Sequence, residues 1–200
     1  MADLRRSLII VLGLLVCGVG TYYFLFVHNI TVLPPPVLGP IQNFTLVDTN
    51  NQPFNKSALD GKVWVADLVF TSCQMTCPMM TQKLKIVSNH FANNPNFRIV
   101  SISIDPDNDT PDVLKQYAKD QGVEQDSWFF LTGKMDEIRD LAIHSFKLAT
   151  PDSPSLHSDR FVLVDQSAHV RGYYDPEDPP QLRKLLQDIE FLFTENQSQR

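Results

Sequence analysis

Cysteine is scarce in this chain: three residues in 200 cannot build a disulfide framework. Glycine is nearly as thin, at eight, and no internal repeat recurs, so a collagen-like or array architecture is excluded. Positive charge is in deficit, with 17 Lys+Arg against 23 Asp+Glu and a net charge of −6. The first 28 residues hold Arg5 and Arg6 but only Asp3, so the remainder is more acidic still. Such a balance argues against a nucleic-acid or anionic-lipid surface and suits a positively charged partner. What is present, 43% hydrophobic and 20% charged residues, is globular rather than disordered, and the length holds one domain with an appendage.

The appendage is the N-terminal leader. After Arg5-Arg6 an uncharged run from Ser7 to Val27, rich in Leu, Ile and Val, is long enough to span roughly 30 Å of hydrocarbon as a helix. Residues 1–28 are therefore expected to form one transmembrane anchor. The arginine pair stays on the cytoplasmic side, Tyr22 and Tyr23 are available as interfacial aromatics, and everything that follows is exported. A cleaved signal peptide fits less well, because Thr21 to Val27 is bulky and aromatic where small residues are required. A lipidated Cys17 fits less well too, since Val16 is not small; Cys17 reads as an inert apolar side chain in the membrane. No Arg- and Ser-rich presequence precedes the run, which points to a bacterial inner (cell) membrane.

Residues 29–40, with Pro34-Pro35-Pro36 and Pro40, are expected to form a stiff extended spacer. Residues 41–195 then form the domain and 196–200 a tail. Phe44 to Val47 and Pro53-Phe54, around an Asp48-Thr49-Asn50-Asn51 turn, predict a small hairpin. Val63 to Phe70 predicts a buried strand, and Met80, Leu84, Val87 and Phe91 mark one face of the helix after Pro78. A second strand over Phe97 to Ile104 is followed by Thr110 and Pro111 as cap and first residue of a helix bearing Val113, Leu114 and Tyr117. Trp128 to Leu131, then Ile138, Leu141, Ala142 and Phe146, repeat the strand-helix theme. Phe161 to Val164 and His169 to Tyr174 form an antiparallel pair, and Pro180 to Phe193 a closing helix. The order βαβ, βα, ββα is that of an α/β, thioredoxin-like fold with an N-terminal hairpin and an insertion.

The first long strand ends in Thr71-Ser72-Cys73-Gln74-Met75-Thr76-Cys77-Pro78, which places both thiols where a strand becomes a helix. Helix-terminal amides favour an anion, so thiolate, the form that attacks disulfides and binds metals, is promoted there. Three residues separate the cysteines, and positions i and i+4 share a helical face, so two sulfurs can address one atom. On its own C-x-x-x-C is a weak signal, equally readable as two buried thiols or a structural disulfide. A tight soft-metal site needs a third donor, and His157 sits in a polar, proline-marked loop before the strand Phe161 to Val164, an edge that packs beside the reactive loop in such a fold. Two thiolates and one imidazole suit copper, as Cu(I) or Cu(II); a structural zinc site would want a fourth ligand. His28, His90, His144 and His169 read as surface or structural side chains, and Met75, Met79 and Met80 as packing residues. Asp67, alone in an apolar strand, requires a partner or a raised pKa.

The combination of Gly61-Lys62-Val63-Trp64, Phe70 to Pro78, Ser103-Ile104-Asp105-Pro106-Asp107-Asn108-Asp109-Thr110, Leu131-Thr132-Gly133 and His157-Ser158 resembles the Sco/SenC family of copper proteins, over about residues 41 to 192. The resemblance implies a membrane-tethered thioredoxin-like domain that assists assembly of the binuclear copper centre in cytochrome c oxidase subunit II. It implies Cys73, Cys77 and His157 as copper ligands, Asp105 and Asp109 in an acidic loop near the site, and an upstream copper donor protein. Gln74 stands where many members have proline. A copper metallochaperone is thus expected. The alternative is a membrane-anchored thiol-disulfide oxidoreductase in which Cys73 and Cys77 are the redox-active pair. A peroxidase of the same fold is disfavoured, because residues 66–73 lack the proline of that pattern.

Overall fold

The computed structural model describes residues 12–23, 33–123, 126–149 and 158–198. The chain divides into Met1–Pro34 and Pro35–Arg200. In the first unit, residues 12–23 form an exposed helix, α1. Among the described residues no helix is long and apolar enough to cross a membrane. At 1.5 Å per residue α1 rises about 18 Å, against the roughly 30 Å of a bilayer core. The single span expected over residues 7–27 is therefore not seen as such, and its two ends fall outside the described residues.

In the second unit one eight-stranded sheet carries the order β1-β8-β7-β4-β5-β6-β2-β3. Its centre is parallel: β4 (Val63–Val69), β5 (Phe97–Ser103) and β6 (Trp128–Thr132) lie side by side. Two crossover segments make this possible, through α2 (Thr76–His90) and α3 (Pro111–Asp120). The flanks are antiparallel. On one side β7 (Phe161–Val164) pairs β4, and β8 (His169–Tyr174) pairs β7. On the other, β2 (Thr45–Asp48) joins β6 and folds back on β3 (Pro53–Asn55). The expected hairpin is thus present, its turn closed by Asp48 Oδ1, which accepts from the Asn50 and Gln52 amides at 2.8 and 2.9 Å.

All seven residues of β4 are buried, as befits a central strand covered on both faces. Trp64, Ala66 and Leu68 enter one core with Leu46, Ile102, Leu131, Ile138 and Phe146. Val63 and Val65 enter the other, with Met80, Leu84 and Val87 of α2, Leu114 and Tyr117 of α3, and Leu185 and Ile189 of α5 (Pro179–Ser198). Asp67 follows the alternation onto this second face. The Thr110 cap is confirmed: its hydroxyl accepts from the Val113 amide at 3.4 Å, with Pro111 at the first helical position.

Three local expectations change. Residues 35–40 are joined to the sheet rather than free-standing: β1 (Gly39–Pro40) pairs β8, and the buried Arg171 donates from Nε and Nη2 to the Pro35 carbonyl at 3.0 and 2.7 Å. The single helix expected through Phe146 is α4 (Met135–Asp140) followed by a π turn (Leu141–Ser145), which closes with the Phe146 amide on the Leu141 carbonyl at 2.9 Å. The extra residue per turn keeps Leu141, Ala142 and Phe146 all buried while freeing Ser145 Oγ to accept from the Gln42 amide at 3.0 Å. The closing helix also runs beyond Phe193, to Ser198.

Gly172 sits in β8 directly under the ring of Tyr174, whose hydroxyl donates to buried Asp188 at 2.5 Å. A Cβ added at Gly172 would lie 2.5 Å from that hydroxyl and 2.8 Å from the ring carbon bearing it. Gly172→Ala should therefore cost about 1–3 kcal/mol, the range of overpacking in a tight core, as a lowered urea midpoint at unchanged slope.

Candidate metal and thiol centre

The site grows from the end of β4. Past Phe70 the chain turns, with the Cys73 amide on the Phe70 carbonyl at 3.1 Å, and α2 begins at Thr76. Cys73 therefore precedes the helix and Cys77 lies in its first turn. The sulfurs converge, but not through a shared helical face as the spacing suggested. The loop instead wraps Cys73 over the helix end, where the Cys77 amide donates to Cys73 Sγ at 3.3 Å.

Both cysteines are free thiols, Cys73 half-buried and Cys77 buried. Partial burial opposes ionisation at Cys73. The Cys77 amide on its sulfur, aided by the backbone of Met75 and Thr76 and by the Cys77 side chain, outweighs that effect and brings its pKa below the ordinary thiol value. At Cys77 burial dominates. Relieved only in part by the Phe70 backbone and reinforced by the hydrogen bond to Cys73 and the charges of Cys73 and Asp67, it pushes the thiol up to about 12. Cys73 is thus the more acidic and the more accessible of the two thiols, and Cys77 the buried one beside it.

Beneath the pair lies a polar shaft in the second core. Asp67 is 1% exposed; its Oδ1 accepts from Ser101 Oγ at 2.6 Å, and Ser101 Oγ in turn accepts from Trp128 Nε1 at 2.9 Å. Asp67 Oδ2 has no hydrogen-bond partner among the described residues. Burial raises its pKa to about 7, against the lowering effect of Ser101. Tyr117, which shares a 3.3 Å hydrogen bond with Thr81 Oγ1, senses Cys77, Asp67 and Cys73 electrostatically, though its upward shift comes mainly from burial. The motif reading assigned Tyr117 only to a helix face; a tyrosine and a threonine on inward faces of adjacent helices was the available signal.

The acidic loop reaches the site through Asp109 rather than Asp105. Asp109 is fully buried and accepts from the Thr71 amide at 3.1 Å, from the Thr71 hydroxyl, and from Ser103 Oγ at 2.6 Å. It pins the start of the cysteine loop to the end of β5. Asp105 is half-buried and accepts from Asn108 Nδ2 at 2.9 Å. Thr71, unremarked in the motif, is the partner that makes the latch.

His157 lies outside the described residues. Among those described, no three His, Cys, Asp or Glu side chains converge on a common point. His90 pairs with Glu190 at 2.9 Å on the surface, His144 is exposed, and His169 lies 3.8 Å from Asp165. Met80 is buried and Met79 packs against the same core, but Met75 is 81% exposed, contrary to the packing role expected of it. The donor chemistry suits a soft cation: two sulfurs lie side by side, and Cys77, the harder of the two to ionise, must lose its proton when it coordinates.

The raised pKa of Asp67 gives stability a definite pH slope. Between the ordinary carboxylate range and about 7 the folded protein keeps a proton that the unfolded chain has released. Stability should therefore fall with rising pH across that window, by up to about 1.4 kcal/mol per pH unit, and level off above it. Asp67→Asn, which still accepts from Ser101, should flatten this slope and be the more stable form at pH 7; urea titrations at pH 5, 6 and 7 check it.

Comparison with known proteins places this geometry. The SCO1/SenC family profile matches residues 39–193. The SCO1 protein homolog of Bacillus subtilis is 31% identical over 165 residues, covering 80% of this chain and 86% of that protein. A solved structure of BsSco, described as a member of the Sco family of cytochrome c oxidase assembly proteins with a disulfide switch, superposes with a TM-score of 0.69 at 32% identity, over 80% of this chain and 96% of that one. Yeast Sco1 with copper bound superposes with a TM-score of 0.60 at 25% identity, over 78% and 94%. With a thioredoxin-like sheet, a cysteine pair at the end of β4 and a profile spanning most of its length, the chain belongs to the SCO1/SenC family.

Proposed function

We propose that this protein is a copper metallochaperone that assists assembly of the binuclear copper centre of cytochrome c oxidase, with subunit II as its acceptor. The observation that carries the reading is the asymmetric pair at the start of α2: a half-buried Cys73, whose sulfur accepts from the Cys77 amide at 3.3 Å and whose pKa is lowered, beside a buried Cys77 thiol. Copper is the cargo. It binds Cys73 and Cys77, displacing the Cys77 proton, and is handed on by exchange of its sulfur ligands for those of the acceptor. An upstream protein supplies the metal.

His157 is the third ligand in this reading. Supporting it is the antiparallel pairing of β7 with β4, in which Ala66 lies opposite Val162. The chain enters β7 at the end where β4 delivers the cysteine loop, and His157 is four residues before Phe161. The leader, as an uncleaved single-pass anchor in a bacterial inner membrane, would hold the domain on the periplasmic side, where the acceptor is. The uncharged run from Ser7 to Val27 behind Arg5-Arg6 supports this placement.

The thiol asymmetry also favours a second activity, reduction of an acceptor disulfide. The Cys73 thiolate attacks one acceptor sulfur and the other leaves, forming a mixed disulfide. Cys77 then gives up its proton and attacks Cys73 Sγ, releasing the acceptor as a dithiol and leaving a Cys73–Cys77 disulfide. Two electrons pass to the acceptor, and a dithiol reductant is needed to reset the pair.

His157→Ala should lower copper affinity by at least the about 10- to 100-fold that even an outer-shell change costs, with both thiols still titratable. Anaerobic competition against a chelator measures it, and unchanged affinity would remove the imidazole. For the second activity, iodoacetamide at pH 7 should label Cys73 well ahead of Cys77 in peptide mass maps; equal labelling would abolish the assignment of attacking and resolving sulfurs.

A further inference from the structure

Among the described large apolar side chains Met75 is the most exposed, at 81%. It also occupies the N-cap of α2 without making a side-chain capping bond, at a position where Ser, Thr, Asp or Asn would satisfy an orphan amide. Neither packing nor helix formation accounts for a methionine there. The other thioethers of α2 behave differently, Met80 being buried and Met79 packed against the core. Met75 is nonetheless two residues from Cys73, inside the short loop that the Cys77 amide closes onto Cys73 Sγ at 3.3 Å. It stands between the two cysteines in the chain, exposed where Cys73 is half-buried and Cys77 buried.

We infer that the Met75 thioether is a surface donor that takes incoming Cu(I) before Cys73 does, and holds it last as it leaves. The inference rests on the copper-carrier reading. A thioether carries no proton, so it binds without deprotonation, and it is soft, so it serves Cu(I) far better than Cu(II). In each exchange one copper–sulfur bond forms as another breaks, with no change in oxidation state. A three-coordinate intermediate through Met75 spares the metal a step with a single ligand. Unlike the cysteines, the residue contributes to the rate of transfer and little to the final affinity.

The test uses the full-length protein in detergent, with Met75→Leu as the shape-conserving variant. Anaerobic stopped-flow measures Cu(I) passing from its bicinchoninate complex to the protein; a parallel equilibrium competition measures affinity, and Cu(II) uptake is followed separately. Met75→Leu should slow Cu(I) transfer about tenfold, one 1.4 kcal/mol step in barrier, while Cu(I) affinity and Cu(II) uptake rate stay at the parent values. Cu(I) transfer at the parent rate would overturn the inference and leave Met75 as an apolar contact. Equal slowing of Cu(I) and Cu(II) would overturn it as well, because the effect would then act through loop structure. Failure of the unmodified protein to bind either copper ion would show in the equilibrium arm and would remove the carrier reading itself.

Discussion

One backbone hydrogen bond holds the reactive sulfur over the start of α2: the Cys77 amide donates to Cys73 Sγ at 3.3 Å, and the neighbouring backbone of Met75 and Thr76 further favours its anion. Backbone groups at a helix start have no partners within the helix, and a sulfur anion satisfies them. The loop from Phe70 to Cys77 is shaped to bring that anion over the helix end. Its chemistry follows from where β4 stops and α2 begins, and only secondarily from which residues lie between the cysteines. The same arrangement separates the two thiols by environment, although they are four residues apart. At the half-buried one the anion is favoured, and at the buried one it is opposed.

That junction is held from two directions. Asp109, buried at the end of β5, fastens Thr71 at the mouth of the loop, while Asp67, two residues before the end of β4, lies in the core beneath Cys77. Both are buried carboxylates, yet they do different things. Asp109 has its oxygens occupied by a backbone amide and two hydroxyls and serves as a fastener. Asp67 has one oxygen without a hydrogen-bond partner among the described residues and places a proton-carrying group under the reactive pair. The parallel centre of the sheet makes this pairing available, because β4 and β5 end side by side, Val69 opposite Ser103.

Much of this was legible in the residues. The unbroken run Val63 to Val69 with one acid in it announced a central strand with a special position. Thr110-Pro111 announced a helix start, and the cysteines followed the strand where a reactive loop belongs. These signals are local, and local chemistry decides them. What could not be read depends on contacts between distant segments. The π turn after Asp140 accommodates the burial of Leu141, Ala142 and Phe146 together, which the helical period alone does not reveal. Met75 looks like any core methionine until the loop places it in water. Asp109 and Thr71 are 38 residues apart, and neither type suggests a latch by itself.

The grip of Arg171 on the Pro35 carbonyl has a mechanical reading. Arg171 is braced by Asp165 at 2.9 Å and Glu195 at 3.0 Å, so the chain arriving at Pro35 is clamped between β8 and the closing helix. A pull applied at Pro35 would thus load β8, separated from β4 by β7. The strand that ends in the thiol loop lies two places away in the sheet, so a pull on the chain entering the domain meets the clamp and two strands before it meets the sulfurs.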